Sequence, residues 1–402
     1  MSVIDTLPPA PAVGLPAAPV IAPPPGPEHV PGTPVGTDDD DRPAAIDLDH
    51  HPRVRRFLAD RGLGALITDR TTSPAGRNAV WIGPSDTGAE LFVKQLLGPA
   101  EDVPRRMARL VSFQEFADAA FAADEQPGPR LLDVDREAGI LVYESFPDAV
   151  PGARLVVDEE FTAELAHRVG VALASAHAAD PVDGIDDQPL LFPSPTLLEA
   201  LPSGMFDALS FGELQAWSLL QADPAIATAV RALLADEADA PRVPTHGDFR
   251  LDQVLVDGPR VLIADWEEFR LGDAARDVGA FAGEWLYRSV LDIVTTRGGQ
   301  RPILSDLSHQ DILRRGADNL QRLIPFVGHF WRGYREVRPE LDPGFTRRAT
   351  AHAGWHTIDR LLASSSRLSK ITGIERAAAG IGRTALISPD RFISVLGLKE
   401  AS

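Results

Sequence analysis

An acid, an amide and a second acid stand close together in THGDFRLDQVLVDGPRVLIADWEEF, residues 245–269. Asp248 follows a His-Gly pair, Gln253 comes five residues later, and Asp265 follows an apolar run. A carboxylate can orient a hydroxyl and accept its proton, and carboxylate and amide oxygens are the ligands that Mg²⁺ prefers. The run between them is long enough for a hairpin that returns Asp265 to Asp248. The segment therefore has the parts of a phosphoryl-transfer site, with Asp248 as base and with Gln253 and Asp265 facing a metal ion.

The composition excludes several other classes of chemistry and partner. The chain has 402 residues and no cysteine, so disulfides, thiolate metal sites and cysteine nucleophiles are excluded. Its net charge of −19 repels nucleic acid and anionic membranes, and neither is predicted as a partner. No run approaches the about 18–20 apolar residues of a membrane span, and the N-terminus lacks the basic start of a secretory signal. We therefore expect a cytoplasmic protein.

Two lobes are predicted, because 402 residues exceed what one hydrophobic core usually covers. Residues 1–45 are rich in proline and alanine and predict a disordered tail. Residues 46–147 contain mainly strand-like runs and predict a β-rich first lobe. Residues 148–402 contain mainly helical patterns and predict a second lobe that holds the chemistry-bearing segment.

The first lobe has the pattern of a helix followed by an antiparallel meander. Val54, Phe57 and Leu58 form one apolar helix face, and Gly62 ends the helix. A second helix is predicted over "DVPRRMARLVSFQEFADAAFAAD". The predicted strands, separated by turn residues, are "GALITDR", "NAVWIGP", "ELFVKQL", "RLLDVDREAG" and "GILVYESF".

The second lobe is predicted to be helical except for one hairpin. The runs "QVLVDG" and "RVLIADW" join near Gly258 and form that hairpin. Amphipathic helices are predicted in "DEEFTAELAHRVGVALASAHAAD", "ARDVGAFAGEWLYRSVL", "HQDILRRGADNLQRLIPFVGHFWRGYREV", "FTRRATAHAGWHTIDRLLASSS" and "KITGIERAAAGIGRTAL".

The motifs around the acids resemble those of the aminoglycoside-phosphotransferase and choline-kinase-like family. "HGDFRLDQ" aligns without a gap with H-R-D-L-x-x-x-N of protein kinases, matching His246, Asp248 and Gln253. "IADWE" resembles the family's I-D-W/F-E segment, which places Asp265 as the metal-binding acid. "LGDAARDVGAF" resembles G-D-P-x-x-D-L-A, which makes Asp277 a brace for the catalytic loop. The resemblance implies an α+β, two-lobed protein-kinase-like fold.

The same resemblance assigns a phosphate-clamping lysine. "ELFVKQL" is similar to the strand that carries it, so Lys94 is expected to hold the α- and β-phosphates of ATP. Its carboxylate partner is expected in the following helix. Glu115 is the first choice, and Glu101, which precedes Pro104, is the second.

The purine and phosphate-covering segments are also implied by the resemblance. "ILVYESF" is similar to the strand that leads into the hinge, where backbone groups around Glu144, Ser145 and Phe146 are expected to hold the purine. No G-x-G-x-x-G loop is present. The stretch "TTSPAGRNAVWI" around Gly76 is the best candidate for covering the phosphates, with Ser73 and Asn78 assisting.

Three residues depart from the family pattern or stay open. Gln253 replaces an asparagine and is one methylene longer, but its amide oxygen is still a magnesium ligand. Arg250 stands where many protein kinases keep a lysine, so it either clamps the transferred phosphate or forms a structural ion pair. Glu267 is either a second metal contact or a loop charge, and the loop charge is favoured.

Residues outside these motifs carry weaker signals. His352 and His356 lie four apart on a helix, but no third ligand accompanies them, so packed or substrate-facing histidines are favoured over zinc. Trp331, Tyr334 and Trp355 either line an acceptor pocket or pack in the core.

The resemblance implies a kinase that uses ATP and Mg²⁺ and transfers phosphate to an alcohol group. The expected acceptor is a small molecule, such as an aminoglycoside, an amino alcohol or a sugar. One alternative is a Ser or Thr of a peptide in lanthipeptide-type natural-product biosynthesis. The other is an inactive module that binds nucleotide or peptide. The sequence predicts no oligomeric state.

Overall fold

The computed structural model describes a first lobe built on one sheet and a second lobe built mainly of helices, as the sequence predicted. The predicted tail, residues 1–45, lies outside the described residues. None of the helices in the described part is long and apolar enough to cross a membrane. The described residues are 48, 51–74, 76–190, 194–295 and 307–399.

The first lobe is a four-stranded antiparallel sheet with the order β1-β2-β4-β3. Val54, Phe57 and Leu58 of α1 are buried against it, and Gly62 follows with φ 68°, which confirms the predicted face and stop. The elements are α1 Pro52–Asp60, β1 Ala79–Pro84, β2 Glu90–Gln95, α2 Asp102–Ala120, β3 Leu131–Asp135 and β4 Ile140–Glu144.

The predicted strand "GALITDR" is wrong. Only an isolated bridge from Leu66 to Ser85 forms there, and a short 3₁₀ helix, Thr68–Arg70, follows at once. Backbone bonds from the Ile67 N–H to Pro84 and from the Asp86 N–H to Ala65 flank this bridge, while the Ala65 N–H donates to the Asp86 carboxylate at 2.9 Å. The sheet therefore begins at β1.

The second lobe combines helices with two short sheets. Its helices are α3 Gly152–Val157, α4 Ala163–Ala178, α5 Ser203–Phe206, α6 Phe211–Gln221, α7 Pro224–Ala238, α8 Ala275–Leu291, α9 His309–Val337, α10 Phe345–Ser365, α11 Gly373–Ile387 and α12 Pro389–Phe392. Its strands are β5 Val150–Pro151, β6 Arg242–Thr245, β7 Val254–Asp257, β8 Arg260–Ile263 and β9 Arg270–Asp273.

The predicted hairpin is confirmed, and a second strand pair was missed. β7 and β8 pair antiparallel from Val254–Ile263 to Asp257–Arg260, with the turn at Gly258. β6 and β9 also pair antiparallel, from Arg242–Asp273 to Thr245–Arg270. This missed pair joins the two ends of the chemistry-bearing segment, because β6 ends at Thr245 and β9 begins at Arg270.

The core of the second lobe holds the aromatic residues whose role the sequence left open. Trp331, Tyr334 and Trp355 are all buried. The Trp331 indole donates to the Lys399 carbonyl at 2.7 Å, and the Tyr334 ring stacks on it at 5.8 Å between centroids. These contacts favour core packing over an acceptor pocket.

Candidate active site

The strand pair β6–β9 positions the loop that carries Asp248. Thr245 and Arg270 form the last register pair, so the two ends of the loop that carries Asp248 lie next to each other at the edge of this strand pair. Gly247 has φ 83°, and a Cβ there would lie 2.9 Å from the Glu268 carbonyl oxygen. Only glycine therefore fits between the two segments and turns the chain toward Asp248.

Asp277, at the start of α8, fixes the backbone of this loop by hydrogen bonds. It has no exposed surface, and it accepts the His246 N–H at 2.7 Å and the Gly247 N–H at 2.9 Å. His177 Nε2 donates a third bond at 3.1 Å. Burial raises the pKa of Asp277, but these bonds more than reverse this and lower it. The carboxylate is thus in the bracing position that the motif implied.

The ring of His246 connects the base loop to the metal segment. Its Nε2 donates to the Ala264 carbonyl at 2.9 Å, next to Asp265, and its Nδ1 accepts the Asp248 N–H at 3.3 Å. The Ala264 N–H donates to the Gln253 carbonyl at 2.8 Å. The hairpin therefore brings Asp265 back beside the loop of Asp248.

Asp248 lies at the mouth of the site, with 48% of its side chain exposed. Arg250 Nη1 donates to Asp248 Oδ2 at 2.6 Å, and Arg250 Nε donates to Asp252 at 3.1 Å. Desolvation raises the pKa of Asp248, and the nearby Arg250 and His246 only partly oppose this. A raised pKa favours a carboxylate as proton acceptor. Of the two roles left open for Arg250, the ion pair is the one present in this structure.

Asp265 and Gln253 offer oxygen atoms that fit Mg²⁺ bound together with phosphates. Asp265 has φ 67°, a conformation that residues other than glycine rarely adopt and that clusters at functional sites. The Gln253 amide oxygen accepts the Arg250 N–H at 2.8 Å and retains a second lone pair. Its buried Nε2 has no hydrogen-bond partner, and a phosphate oxygen would satisfy it.

A metal site built from protein side chains alone is not present in the described residues. They contain no group of three or more His, Asp or Glu side chains that could hold an ion. Mg²⁺ commonly uses one or two protein oxygens and takes its other ligands from phosphates and water. Asp265 and Gln253 therefore suit a metal–nucleotide complex rather than a free ion.

Lys94 meets Asp265 across the two lobes. The lysine is buried on β2, and its Nζ lies 2.5 Å from Asp265 Oδ1 and 3.4 Å from Glu267 Oε2. Burial raises the pKa of Asp265, but the Lys94 ammonium reverses this and lowers it. The structure thus places the predicted clamp and the predicted metal ligand together.

The predicted pairing of Lys94 with Glu115 is not present. Glu115 is exposed on α2, whose buried face includes Arg106. Glu115 lies nine positions after Arg106, which corresponds to about two and a half helical turns, so the two side chains leave opposite faces of the helix. Glu101, the second choice, is exposed at the N-terminal end of α2.

The carboxylate beside Lys94 comes from Glu267 instead. Arg106, which the sequence analysis did not single out, donates to Glu267 Oε2 through Nε at 3.1 Å and Nη2 at 2.7 Å. Glu267, with only 14% of its side chain exposed, is therefore an ion-pair member and not a solvated loop charge. The sequence did contain a signal for this role of Arg106. This arginine lies four residues before Leu110, so a charged side chain falls on the apolar face of the predicted helix and needs a buried partner.

The segments predicted to bind the nucleotide flank Lys94 in the sheet. On one side Lys94 pairs with Val80 of β1, and β1 follows the bend that contains Gly76. On the other side it pairs with Leu141 of β4, and β4 ends at Glu144. At the hinge, the Glu144 N–H donates to the Arg130 carbonyl at 3.0 Å. The Arg260 guanidinium lies 5.2 Å from the centre of the Phe146 ring.

A polar cluster from α8 and α10 lies near Asp248. His356 Nε2 donates to Glu284 Oε1 at 2.6 Å, and Arg360 donates to Asp359 at 2.8 Å. Asp359 and Arg360 are close enough to shift the pKa of Asp248. His352 lies nearest a different acid, Glu237, so the two histidines share no partner.

Burial raises the pKa of the Glu284 carboxyl, but His356, Arg360 and Arg250 more than reverse this and lower it to about 2. A lowered folded-state pKa stabilises the fold above the ordinary value and loses that stabilisation as the pH falls through the folded value. We therefore expect Glu284→Gln to be less stable than wild type by about 1–3 kcal/mol at pH 7.

This difference should shrink between pH 4.5 and about 2. Chemical denaturation across that range measures it. The double variant Glu284→Gln/His356→Gln should lose less stability than the sum of the losses in the two single variants, because both single variants remove the same Glu284–His356 contact. A difference that persists unchanged at pH 2 would contradict the assignment.

Comparison with known proteins identifies the family. The chain belongs to the phosphotransferase enzyme family, APH, whose family model matches residues 75–359. This match confirms the family that the motifs indicated and the prediction that the chain is a phosphotransferase. No curated protein matches the chain.

Comparison with solved structures finds kinases that are similar to this chain. The amicoumacin kinase hAmiN, solved with AMP-PNP, Ca²⁺ and Ami, has 12% identity and a TM-score of 0.50, covering 85% of this chain and 96% of its own. A choline/ethanolamine kinase family protein from Mesorhizobium loti has 17% identity and a TM-score of 0.48, covering 88% and 100%. The macrolide 2′-phosphotransferase MphH from Brachybacterium faecium has 20% identity and a TM-score of 0.42, covering 84% and 98%. The first of these likenesses agrees with the predicted kinase-like fold.

Proposed function

We propose that the chain transfers the γ-phosphate of ATP, bound with Mg²⁺, to a hydroxyl group of a small molecule. The observation that carries this proposal is the meeting of Lys94 and Asp265 at 2.5 Å, one from each lobe. Asp248 and Gln253 lie on the loop that His246 joins to the same segment. Family membership supports the reaction class.

Each polar residue of the site has a proposed task. Asp248 orients the acceptor hydroxyl and takes its proton. Asp265 and Gln253 hold Mg²⁺, which when bound neutralises charge on the phosphates. Lys94 leaves Asp265 and contacts the α- and β-phosphates when the nucleotide enters. Arg250 adds positive charge near the transferred group.

The polar cluster supports an acceptor that carries amino groups beside its hydroxyl. Asp252 keeps 59% of its side chain exposed close to Asp248, and Glu284 and Asp359 add acidic groups nearby. The net charge of −19 also attracts cations. An aminoglycoside or an amino alcohol suits these acids better than a neutral sugar does. The structurally similar amicoumacin kinase hAmiN was itself solved with AMP-PNP, Ca²⁺ and Ami.

Calorimetric titration with AMP-PNP, with and without Mg²⁺, tests the nucleotide site. We expect wild type to bind in a metal-dependent way and Asp265→Ala to lose at least about tenfold in affinity, because it removes a charged ligand. Asp257→Ala, at the turn of the same hairpin, is the matched control and should bind like wild type.

An acceptor screen then separates the reaction classes. ADP release with aminoglycosides, amino alcohols and sugars supports the proposal. Phosphorylation of Ser or Thr peptides alone supports the peptide alternative. Wild-type protein that binds nucleotide without metal dependence and turns over no acceptor is an inactive binding module, and this outcome rejects the proposed reaction.

A further inference from the structure

Arg106 is a fully buried cation next to the nucleotide site. Its side chain has no exposed surface, although a buried guanidinium is costly unless every donor is engaged. Nη1 donates to the Leu97 carbonyl at 3.0 Å, and Nη2 donates to Asn78 Oδ1 at 2.8 Å. Nε and Nη2 both donate to Glu267 Oε2.

These bonds join three segments that surround Lys94. Asn78 belongs to the bend predicted to cover the phosphates, and its Oδ1 also accepts the Leu97 N–H at 3.1 Å. Leu97 follows β2, the strand of Lys94. Glu267 is two residues beyond Asp265. One side chain on α2 thus fixes the covering loop, the lysine strand and the metal segment together.

The charges around Lys94 balance only when Arg106 is included. Two carboxylates, Asp265 and Glu267, lie within 3.4 Å of Lys94 Nζ. Without Arg106, both would compete for one ammonium, and an uncompensated carboxylate would repel the incoming phosphates. With Arg106, Glu267 has a second cation 2.7 Å away. Asp102 also lies 3.5 Å from Arg106, but it has a closer cation in Arg77, at 2.6 Å.

We infer that Arg106 is a positioning residue that holds Glu267 and so leaves Lys94 available to the nucleotide phosphates. The inference rests on the proposed function. The motif resemblance implied a glutamate on this helix as the partner of Lys94. In this chain the order of charges is reversed, because the helix supplies the cation and the metal segment supplies the acid.

Arg109 provides a matched control one turn further along α2. It forms a comparable pair of bonds, to Asp186 at 2.8 Å and to Glu268 at 2.7 Å. It therefore also ties α2 to the segment after Asp265. In the described part of the chain these two ion pairs involve neither Lys94 nor Glu267, so the loss of Arg109 tests the fold without disturbing the charges at the lysine.

The test compares ADP affinity, with and without Mg²⁺, and thermal midpoints in four variants. We expect Arg106→Gln to weaken ADP binding about tenfold even without metal, because the freed Glu267 competes for Lys94. Arg106→Lys should recover part of the loss. Arg106→Gln/Glu267→Gln should recover most of it, because the competing charge is gone. Arg109→Gln should lower the thermal midpoint but keep ADP affinity within about twofold.

Two results would overturn the inference. The first is ADP affinity in Arg106→Gln equal to that of Arg109→Gln. The second is no recovery in the double variant, which has no unpaired buried charge and remains informative if Arg106→Gln does not fold. A wild-type protein that binds no nucleotide rejects the proposed function instead, and the inference falls with it.

Discussion

Asp248→Asn is expected to lower the rate of phosphoryl transfer by about 10²–10⁴-fold while leaving nucleotide binding within about threefold of wild type. The amide cannot accept the hydroxyl proton, but it keeps the size of the carboxyl and can still contact Arg250. Because Asp248 is 48% exposed and lies outside the core, its replacement should not unfold the chain. ADP release with the acceptor found in the screen measures the rate.

Asp252→Asn is the matched control for this prediction. Asp252 also pairs with Arg250, at 3.1 Å, and it is more exposed than Asp248, with 59% of its side chain accessible. Because Asp252 is one of the acids proposed to attract the acceptor, its loss should raise the KM for the acceptor. At saturating acceptor the maximal rate should change by no more than about threefold, since exposed ion pairs contribute little. A similar loss in both variants would show that the Arg250 ion pairs matter and that Asp248 is not the base.

The sequence was informative where local pattern decides structure. Two apolar runs around Gly258 predicted the β7–β8 hairpin and hence the return of Asp265 toward Asp248. The strand carrying Lys94 was also predicted, since the consecutive apolar residues Leu91, Phe92 and Val93 form a short run typical of a buried strand. These features depend on turn chemistry and on short apolar runs, which are properties of neighbouring residues.

The sequence was uninformative where a partner lies far along the chain. β6 and β9 contain four residues each and include Pro244 and Gly272, so neither has a strand's usual composition. Their pairing depends on 24 intervening residues that fold back first. Likewise, the acid beside Lys94 is 173 residues away, which no helical pattern on α2 could reveal.

The structure shows one bracing strategy used on both sides of the site. Asp277 is a buried anion that holds the backbone of the base loop, and Arg106 is a buried cation that holds the metal segment. Each satisfies its hydrogen bonds with groups from several segments. Replacing either side chain should therefore change the positions of the site residues as well as the stability of the fold. Matched variants can separate the two effects.

Asp277→Asn is expected to lower both stability and activity. The substitution removes a buried charge that accepts three hydrogen bonds, and the new amide turns a donor toward either the His246 or the Gly247 N–H. We expect the thermal midpoint to fall by about 6–10 °C, corresponding to about 3 kcal/mol. The catalytic rate, measured well below that midpoint, should fall about 10²-fold because Asp248 is carried on the same loop.

Asp273→Asn separates the two effects. Asp273 is equally buried and receives two bonds from Arg348, at 2.7 and 3.2 Å, but it touches neither His246 nor Gly247 in the described structure. Its replacement should lower the thermal midpoint by a similar amount and leave the rate within about fivefold of wild type. If both variants lose activity in proportion to stability, Asp277 supports the fold as a whole. If only Asp277→Asn loses the additional activity, its three bonds set the position of the base.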